Sequence, residues 1–413
     1  MRSATEAIAK RGACEEDHRL VEAIALFTKW LDRFGEVSYD HQSYFAGPIG
    51  RRAKALYYSH PTLGKIAVAP MIASEALFPS ARRLFWKRQR FPIADAHYAM
   101  AFASLAHRVP GSSYYDRAVH FLKVLESSRC PGSRHHGWGY PFDWVTRTGV
   151  MTSQTPLITS TPYVYEAFSA VHRIDGKLHW LTVMESAAEH AFTEIPECQV
   201  SGDAASCGYN PRDTVGGVIN ASAYRAFLLF DAAEQFGRDD YRRAAERNLN
   251  YVLQSQRLDG SWYYATDGLR NFIDHFHTCF IIKALAKIEA LIDHEGCTQA
   301  IESGVRYYVE HLFDENGLPR PFSAAPRLTI YKRELYDYAE CINLAVLLNG
   351  RFDALDARLQ ATVDDLLSHW QKPDGSFRSR RLMFGWDNVP MHRWAQAQVF
   401  RSLCALSLVQ RRS

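Results

Sequence analysis

Asp274 and His277 stand three residues apart in the stretch FIDHFHT, residues 272–278, a spacing that puts a carboxylate and an imidazole on one helix face. Such a pair can orient the ring and let it act as a general acid or base. Tyr336 and Glu340, in YDYAE, share a face at four-residue spacing, just before an apolar run. Glu166 follows Pro162 by four residues inside an aromatic stretch, where a carboxylate must be paired or hydrogen-bonded. Asp143 sits in the loop phrase WGYPFDW, residues 138–144, whose flat rings suit stacking on sugar C–H faces. These six residues, Asp143, Glu166, Asp274, His277, Tyr336 and Glu340, are the candidates for proton transfer. Trp138, Tyr140, Trp144, Tyr163, Asn220, Tyr224, His392 and Trp394 are candidate substrate contacts, with Arg225 and Arg393 as cations for an anionic part of the substrate. Each has a structural alternative. Asp274 would cap a helix, Glu166 bridge two loops, the YDYAE turn be a solvated helix end, and the aromatic loop fill space between helices.

Those residues cluster at the heads of six helices that are apolar on nearly every face and recur at intervals of about sixty residues. The segments begin near Asp95, Pro162, Asn220, Asp274, Tyr336 and Met391, and all-round apolarity marks them as buried. A charged, amphipathic helix follows each of the first five, near Tyr114, His179, Asp239, Cys297 and Ala354. The sixth has no successor, but a charged amphipathic helix stands unpaired at about Glu16 to Phe34 and can supply it. The pattern predicts an all-α fold, an (α/α)6 toroid of six helical hairpins closed by the N-terminal helix, with residues 1–413 as one domain. Long connections precede the inner helices and short ones leave them, so the long loops and the inner-helix N-termini share one rim. Six helix N-termini there favour anionic groups.

Two connections carry one phrase: QRLDGSW at 256–262 and QKPDGSF at 371–377. Glycine permits a tight turn, Asp and Ser satisfy free backbone groups, and the aromatic ring wedges between hairpins. The phrase resembles the QW-type motif of terpenoid-cyclase toroids and the D-G-S-W phrases of six-hairpin glycosidase-like proteins, which implies the toroid fold rather than a chemistry. A wider set of phrases, including WGYPFDW, TPYVYEAF at 161–168, NASAYR at 220–225, FIDHFHT and RWAQA at 393–397, resembles a family of bacterial proteins associated with exopolysaccharide and capsule gene clusters. The resemblance runs from about Asp95 onward. It implies a setting in polysaccharide assembly and carries no residue role.

Hydrophobic residues make up 47% of the 413 and aromatics 13%, more rings than a core alone needs. A net charge of +3 implies no polyelectrolyte partner such as nucleic acid. Eight scattered cysteines without a C-x-x-C pair, an N-terminus lacking an apolar signal core, and no long apolar run lead to the expectation of a cytoplasmic protein. No metal or other cofactor is expected: His275, His277 and Cys279 alternate along a helix and diverge too far to chelate one ion. Residues 51–90 stand apart, with nine basic residues against the single acidic Glu75, a net charge of +8, around the apolar centre IAVAPMIASEALF. That composition suits an anionic membrane surface, which would make the protein peripheral at the inner face of the membrane. A flap over the rim is the structural alternative.

The expected function is a carbohydrate-active enzyme of polysaccharide biosynthesis using acid–base chemistry in the toroid cleft, with a saccharide or lipid-linked sugar as partner. Glycoside hydrolysis needs two opposed carboxylates. Lyase or epimerase chemistry on a uronic acid needs a Tyr or His base and a group that neutralises the carboxylate. The residues offer both sets. A non-catalytic glycan or lipid-linked-sugar binding protein of a membrane assembly complex is an alternative of a different class. A terpenoid-cyclase-like enzyme is a further one, although no D-x-D-D acid or D-D-x-x-D motif occurs and Asp364-Asp365 lies in an outer helix.

Overall fold

The six apolar segments fold as helices that touch in sequence order around a closed ring. In the computed structural model, which describes residues 2–147, 149–198 and 202–409, the inner helices are α5 (Pro92–Arg108), α7 (Thr161–Asp175), α9 (Ile219–Phe236), α11 (His275–Glu289), α13 (Leu335–Leu347) and α15 (Ala397–Val409). Each packs on the next, and α15 packs on α5. The outer partners are α6 (Tyr114–Ser127), α8 (Leu178–Glu189), α10 (Asp239–Gln254), α12 (Glu295–His311) and α14 (Asp353–Asp365), each against the inner helix before it. The long α1 (Arg2–Phe34) is the sixth, lying on α15. Its Phe27 stacks on Phe400 of α15 at 4.7 Å, and its Arg19 pairs with Asp364 of α14 at 3.4 Å. This is the expected all-α toroid.

The repeated phrase explains how neighbouring hairpins lock. Gln256 donates its side-chain amide to the carbonyls of Gly260 (3.0 Å) and Ala300 of α12 (2.9 Å). Gln371 does the same to Gly375 (3.3 Å) and Ala23 of α1 (3.0 Å). In each copy the Asp accepts from the Ser backbone and hydroxyl two residues on. Gly260 and Gly375 have φ of 89° and 96°, and a Cβ on either would run into a backbone carbonyl of the gripped helix, Ser303 or Leu26. The second copy therefore grips α1 as the first grips α12.

Helix starts differ from the sequence expectation by a few residues. α5 begins at Pro92, because proline at the first position is preorganised for a helix, and Asp95 lies in its first turn, pairing with Arg90 (2.9 Å) instead of capping. Asn220 is buried one residue inside α9. Among the expected inner-helix caps, Asp274 is the one whose side chain accepts a helix N–H, that of His277.

The rim carries short antiparallel strands: β1 (Trp144–Thr146) with β2 (Gly149–Met151), β3 (Glu197–Cys198) with β4 (Ser206–Cys207), β5 (Ile273–Asp274) with β6 (Phe322–Ala324), and a three-stranded sheet of β7 (Tyr331–Glu334), β8 (Arg380–Leu382) and β9 (Trp386–Asp387). The basic segment, together with the residues just before it, forms α2 (Ser43–Ala46), α3 (Pro48–Ser59) and α4 (Pro61–Leu77) around a small core of Tyr44, Ala53 and Met71. It spans the rim. On one side Arg51 pairs with Asp143 and Lys54 lies 6.0 Å from the Trp144 ring. On the other, Glu75 pairs with Arg380 at 2.6 Å and the buried Arg82 with Asp387. Its apolar centre is divided: Met71 faces inward, while Leu63, Ile66 and Leu77 are more than half exposed. Among the described residues no helix is long and apolar enough to cross a membrane.

Candidate functional site

At the mouth of the ring, β5 runs into α11 through Asp274, which accepts the backbone N–H of His277 at 2.9 Å and its ring Nδ1–H at 2.6 Å. A carboxylate only accepts, so Nδ1 carries hydrogen, which in the uncharged form of the ring leaves the lone pair on Nε2. Asp274 is buried, whereas the His277 side chain is 21% exposed. Tyr264 (4.7 Å between ring centres), Phe276 and Phe280 surround the imidazole. The wall continues from Phe276 to Tyr336 (5.1 Å), which stacks on Trp394 (4.5 Å), and Trp394 meets His41 (4.4 Å). Arg393 lies 4.5 Å over the Tyr140 ring, and Tyr140 meets Trp144 at 5.7 Å.

Below the mouth, α11 turns one face to the lumen. His277, Phe280, Lys283 and Lys287 recur at three- and four-residue spacing and share that face, with Phe280 and Lys283 its most buried part. Lys283 pairs with Glu340 of α13, and Lys287 with Glu166 of α7. Arg401 of α15 donates to Nδ1 of the buried His97 (3.3 Å) and lies 5.7 Å over Tyr163. Tyr163 and Tyr224 share a hydroxyl hydrogen bond of 2.6 Å. Two carboxylates thus face three cations. Burial pushes the Lys287 ammonium down to about 8 against the pull of Glu166, with Arg401 and Lys283 adding to the fall. Burial alone would raise the Glu166 carboxyl, but Lys287 and Arg401 outweigh it and hold it below its usual value. Burial raises the phenols: Tyr264 to about 12, and Tyr336 further, with Glu340 adding to the effect. They are held as proton donors.

The structure gathers His277, Asp274, Tyr336, Trp394, Tyr140 and Trp144 at the mouth. Tyr163, Tyr224, Glu166 and Glu340 lie deeper, the two acids as ion pairs. Asp143 is at the edge, paired with Arg51 and accepting from the Ser153 backbone (2.9 Å). Four expected substrate contacts are corrected. Arg225 points out of the lumen into the seam between hairpins, where it donates to the Ala191 carbonyl (2.7 Å), Asn248 (2.7 Å) and Glu197 (3.0 Å). His392 is enclosed between the Tyr98 hydroxyl (2.6 Å) and the Gly35 carbonyl (2.9 Å), where it joins the chain's two ends. Trp138 is 1% exposed and donates to the Leu125 carbonyl, so it wedges hairpins as the structural alternative held. Arg393 is buried and neutralised by Asp40 at 2.6 and 2.9 Å, which leaves it a support for Tyr140 and Trp394 rather than a free cation. Asn220 is buried with its side-chain oxygen unpartnered.

Sequence reasoning missed His41, Lys54, Tyr264, Phe276, Lys283 and Lys287. The two lysines had a legible mark, since ammonium groups four residues apart in an otherwise apolar helix must find buried partners. Lys54 had none, because its place over Trp144 depends on how α3 folds back. Burial, then Arg327, lowers the Lys54 ammonium to about 8. It donates to Gln42 (3.1 Å) and has no carboxylate partner among the described residues. Among those residues no group of three or more His, Cys, Asp or Glu side chains is placed to hold a metal ion.

No protein-family model matches the chain, and no curated protein matches it by sequence. Solved structures do. The unsaturated glucuronyl hydrolase from Bacillus sp. GL1 superposes with a TM-score of 0.57 at 12% identity, covering 94% of this chain and 96% of that one. The cellobiose 2-epimerase from Bacillus thermoamylovorans gives 0.58 at 10% identity, covering 78% and 88%. A polysaccharide lyase gives 0.55 at 9% identity, covering 77% and 90%. At such identities the likeness is one of fold.

Proposed function

We propose that the chain is a carbohydrate-active enzyme of the proton-transfer type, an epimerase or lyase acting on an acidic sugar at the toroid mouth. The observation that carries this is the Asp274–His277 pair, its imidazole 21% exposed and surrounded by Tyr264, Phe276 and Phe280. His277 Nε2 takes the proton from the sugar carbon beside the carboxylate. In a lyase the C–O bond at the next carbon breaks, and a phenol such as Tyr264 or Tyr336 protonates the departing oxygen. In an epimerase the phenol returns a proton to the same carbon from the other side. Lys54, beside Trp144, neutralises the sugar carboxylate, a role Arg393 cannot fill while Asp40 holds it. Glycoside hydrolysis is the weaker reading, because Asp143, Glu166, Asp274 and Glu340 are each engaged by a cation or imidazole, and the buried Asp337, whose oxygens have no hydrogen-bond partner and whose carboxyl is pushed well up by burial, adds a single carboxyl rather than an opposed pair. The solved neighbours include enzymes named epimerase and lyase. The resemblance of phrases such as WGYPFDW and FIDHFHT to those of exopolysaccharide and capsule-cluster proteins favours a biosynthetic setting. Incubation with uronate-containing oligosaccharides in D2O tests the reaction: carbon-bound deuterium or an unsaturated product supports it. Cleavage without either would overturn it in favour of hydrolysis.

A membrane-surface partner is the second reading, favoured by α4. Leu63, Ile66, Leu77 and Phe78 are 57–68% exposed, and the exposed basic residues Arg52, Lys65, Arg83 and Lys87 lie beside them in sequence. An apolar face edged by cations suits an anionic bilayer, and would bring a lipid-linked sugar to the mouth.

A further inference from the structure

The β7–β8–β9 sheet has two unlike faces. Side chains alternate along each strand, and the register sets Glu334 opposite Arg380 and Arg380 opposite Asp387 on the inner face. Every charge in that row is paired: Arg380 with Glu334 and Glu75, and Asp387 with Arg82. On the outer face the same register sets Arg333 opposite Arg381 and Arg381 opposite Trp386. Like charges directly opposite across strands repel. Asp314 neutralises Arg333, but Arg381 finds a single backbone carbonyl, Gly385, at 3.4 Å, and no carboxylate among the described residues. Its guanidinium lies 4.9 Å from the Trp386 ring, and that of Arg378 lies 5.1 Å from the same ring. In front of this row is a groove of about 300 Å³ lined by Arg333, Arg381, Trp386, Trp370, His369 and Asp365. Asp365 accepts from Tyr338 (2.6 Å), Trp370 (2.9 Å) and His369 (3.0 Å) and keeps its negative charge, but it makes no ion pair with Arg381.

We propose that this groove is a second saccharide-binding site, in which Arg381 receives the carboxylate of an acidic sugar unit and Trp386 flanks its ring. Guanidinium and carboxylate match as planar, two-point partners, and the half-buried Trp386 indole supplies apolar surface for sugar C–H groups. The site lies outside the lumen, on the strand pair that leads into α13, where a polymer leaving the mouth would be held by a unit away from the reacting one. The saccharide class rests on the reading of the mouth; the need for an anion opposite Arg381 does not.

Calorimetric titration of the full chain with trigalacturonate, its methyl ester and inorganic phosphate tests this. The wild type should bind trigalacturonate at two sites. Lys54→Met should leave one, and adding Arg381→Gln should weaken that one about tenfold or more, the worth of a charge-assisted contact. The methyl ester should fail at the groove. Trp386→Phe provides a second variant and should weaken the same site while the mouth still binds. The proposal is overturned if Arg381→Gln and Trp386→Phe bind as the wild type does, if Lys54→Met alone abolishes all binding, or if phosphate competes as well as the sugar. Loss of all binding in Arg381→Gln would instead remove the mouth and keep the groove.

Discussion

The Nδ1–H of His277 donates to Asp274 at 2.6 Å, and the same carboxylate caps the helix on which His277 stands. The two roles separate in a mutant. Asparagine caps a helix as well as aspartate does, so Asp274→Asn should keep the melting temperature near wild type. It no longer presents a carboxylate to Nδ1–H, and an amide in its place can support the other tautomer. Deuterium exchange into substrate should then fall, and His277→Gln should lower it by about 10²–10⁴-fold, the range for a lost general base. Unchanged exchange in both would remove the pair from the chemistry.

Lys287 should leave a mark on stability at alkaline pH. Its ammonium is pushed down to about 8 in the fold, mainly by burial, against 10.5 unfolded. Between those values the unfolded chain binds a proton that the folded chain has lost, so stability rises with pH across that window. Lys287→Met removes this gain. Melts at pH 7.5, 9 and 10.5 should show the wild type improving relative to the mutant, and parallel curves would contradict the assignment.

Ring closure predicts a global effect from a terminal helix. Phe27 is fully buried against Phe400 and Phe377, and truncation of such a ring costs about 3–5 kcal/mol. Phe27→Ala should lower one cooperative calorimetric transition, as should deletion of residues 1–35. A separate early transition, with the main one unmoved, would mean that α1 is an appendage.

Membrane association should depend on the exposed cations and not on the basic segment as a whole. Arg82 is buried against Asp387, and Arg88 donates to the Phe34 and Val37 carbonyls, so charge reversal there damages the fold. Arg83→Glu with Lys87→Glu should abolish co-sedimentation with anionic vesicles while leaving the melt unchanged. Each basic residue near such a surface contributes about 1 kcal/mol, and added salt should release the wild type. No sedimentation of the wild type at low salt would refute this surface.

Much of the ring was legible without coordinates. All-round apolarity marked the inner helices, amphipathy the outer ones, and the two Q-x-x-D-G-S phrases the turns where an aromatic ring wedges between hairpins; that Gln371 grips Ala23 came from the structure. What the pattern could not do was tell the lumen from the seams. An inner helix is buried on both, so a 3.6-residue period has no polar face to read. Tyr224 and Arg225 are neighbours in sequence about 100° apart around α9; one faces Tyr163 in the lumen and the other Glu197 in a seam. The partners of Glu166, Glu340 and Arg393 come from residues 121, 57 and 353 positions away. Local spacing carries no record of such pairs. Sequence by itself determined which segments are buried and how the hairpins close. Which buried charges meet, and therefore which groups remain free to act, was decided only when the ring brought them together in a medium where an unpaired charge is too costly to keep.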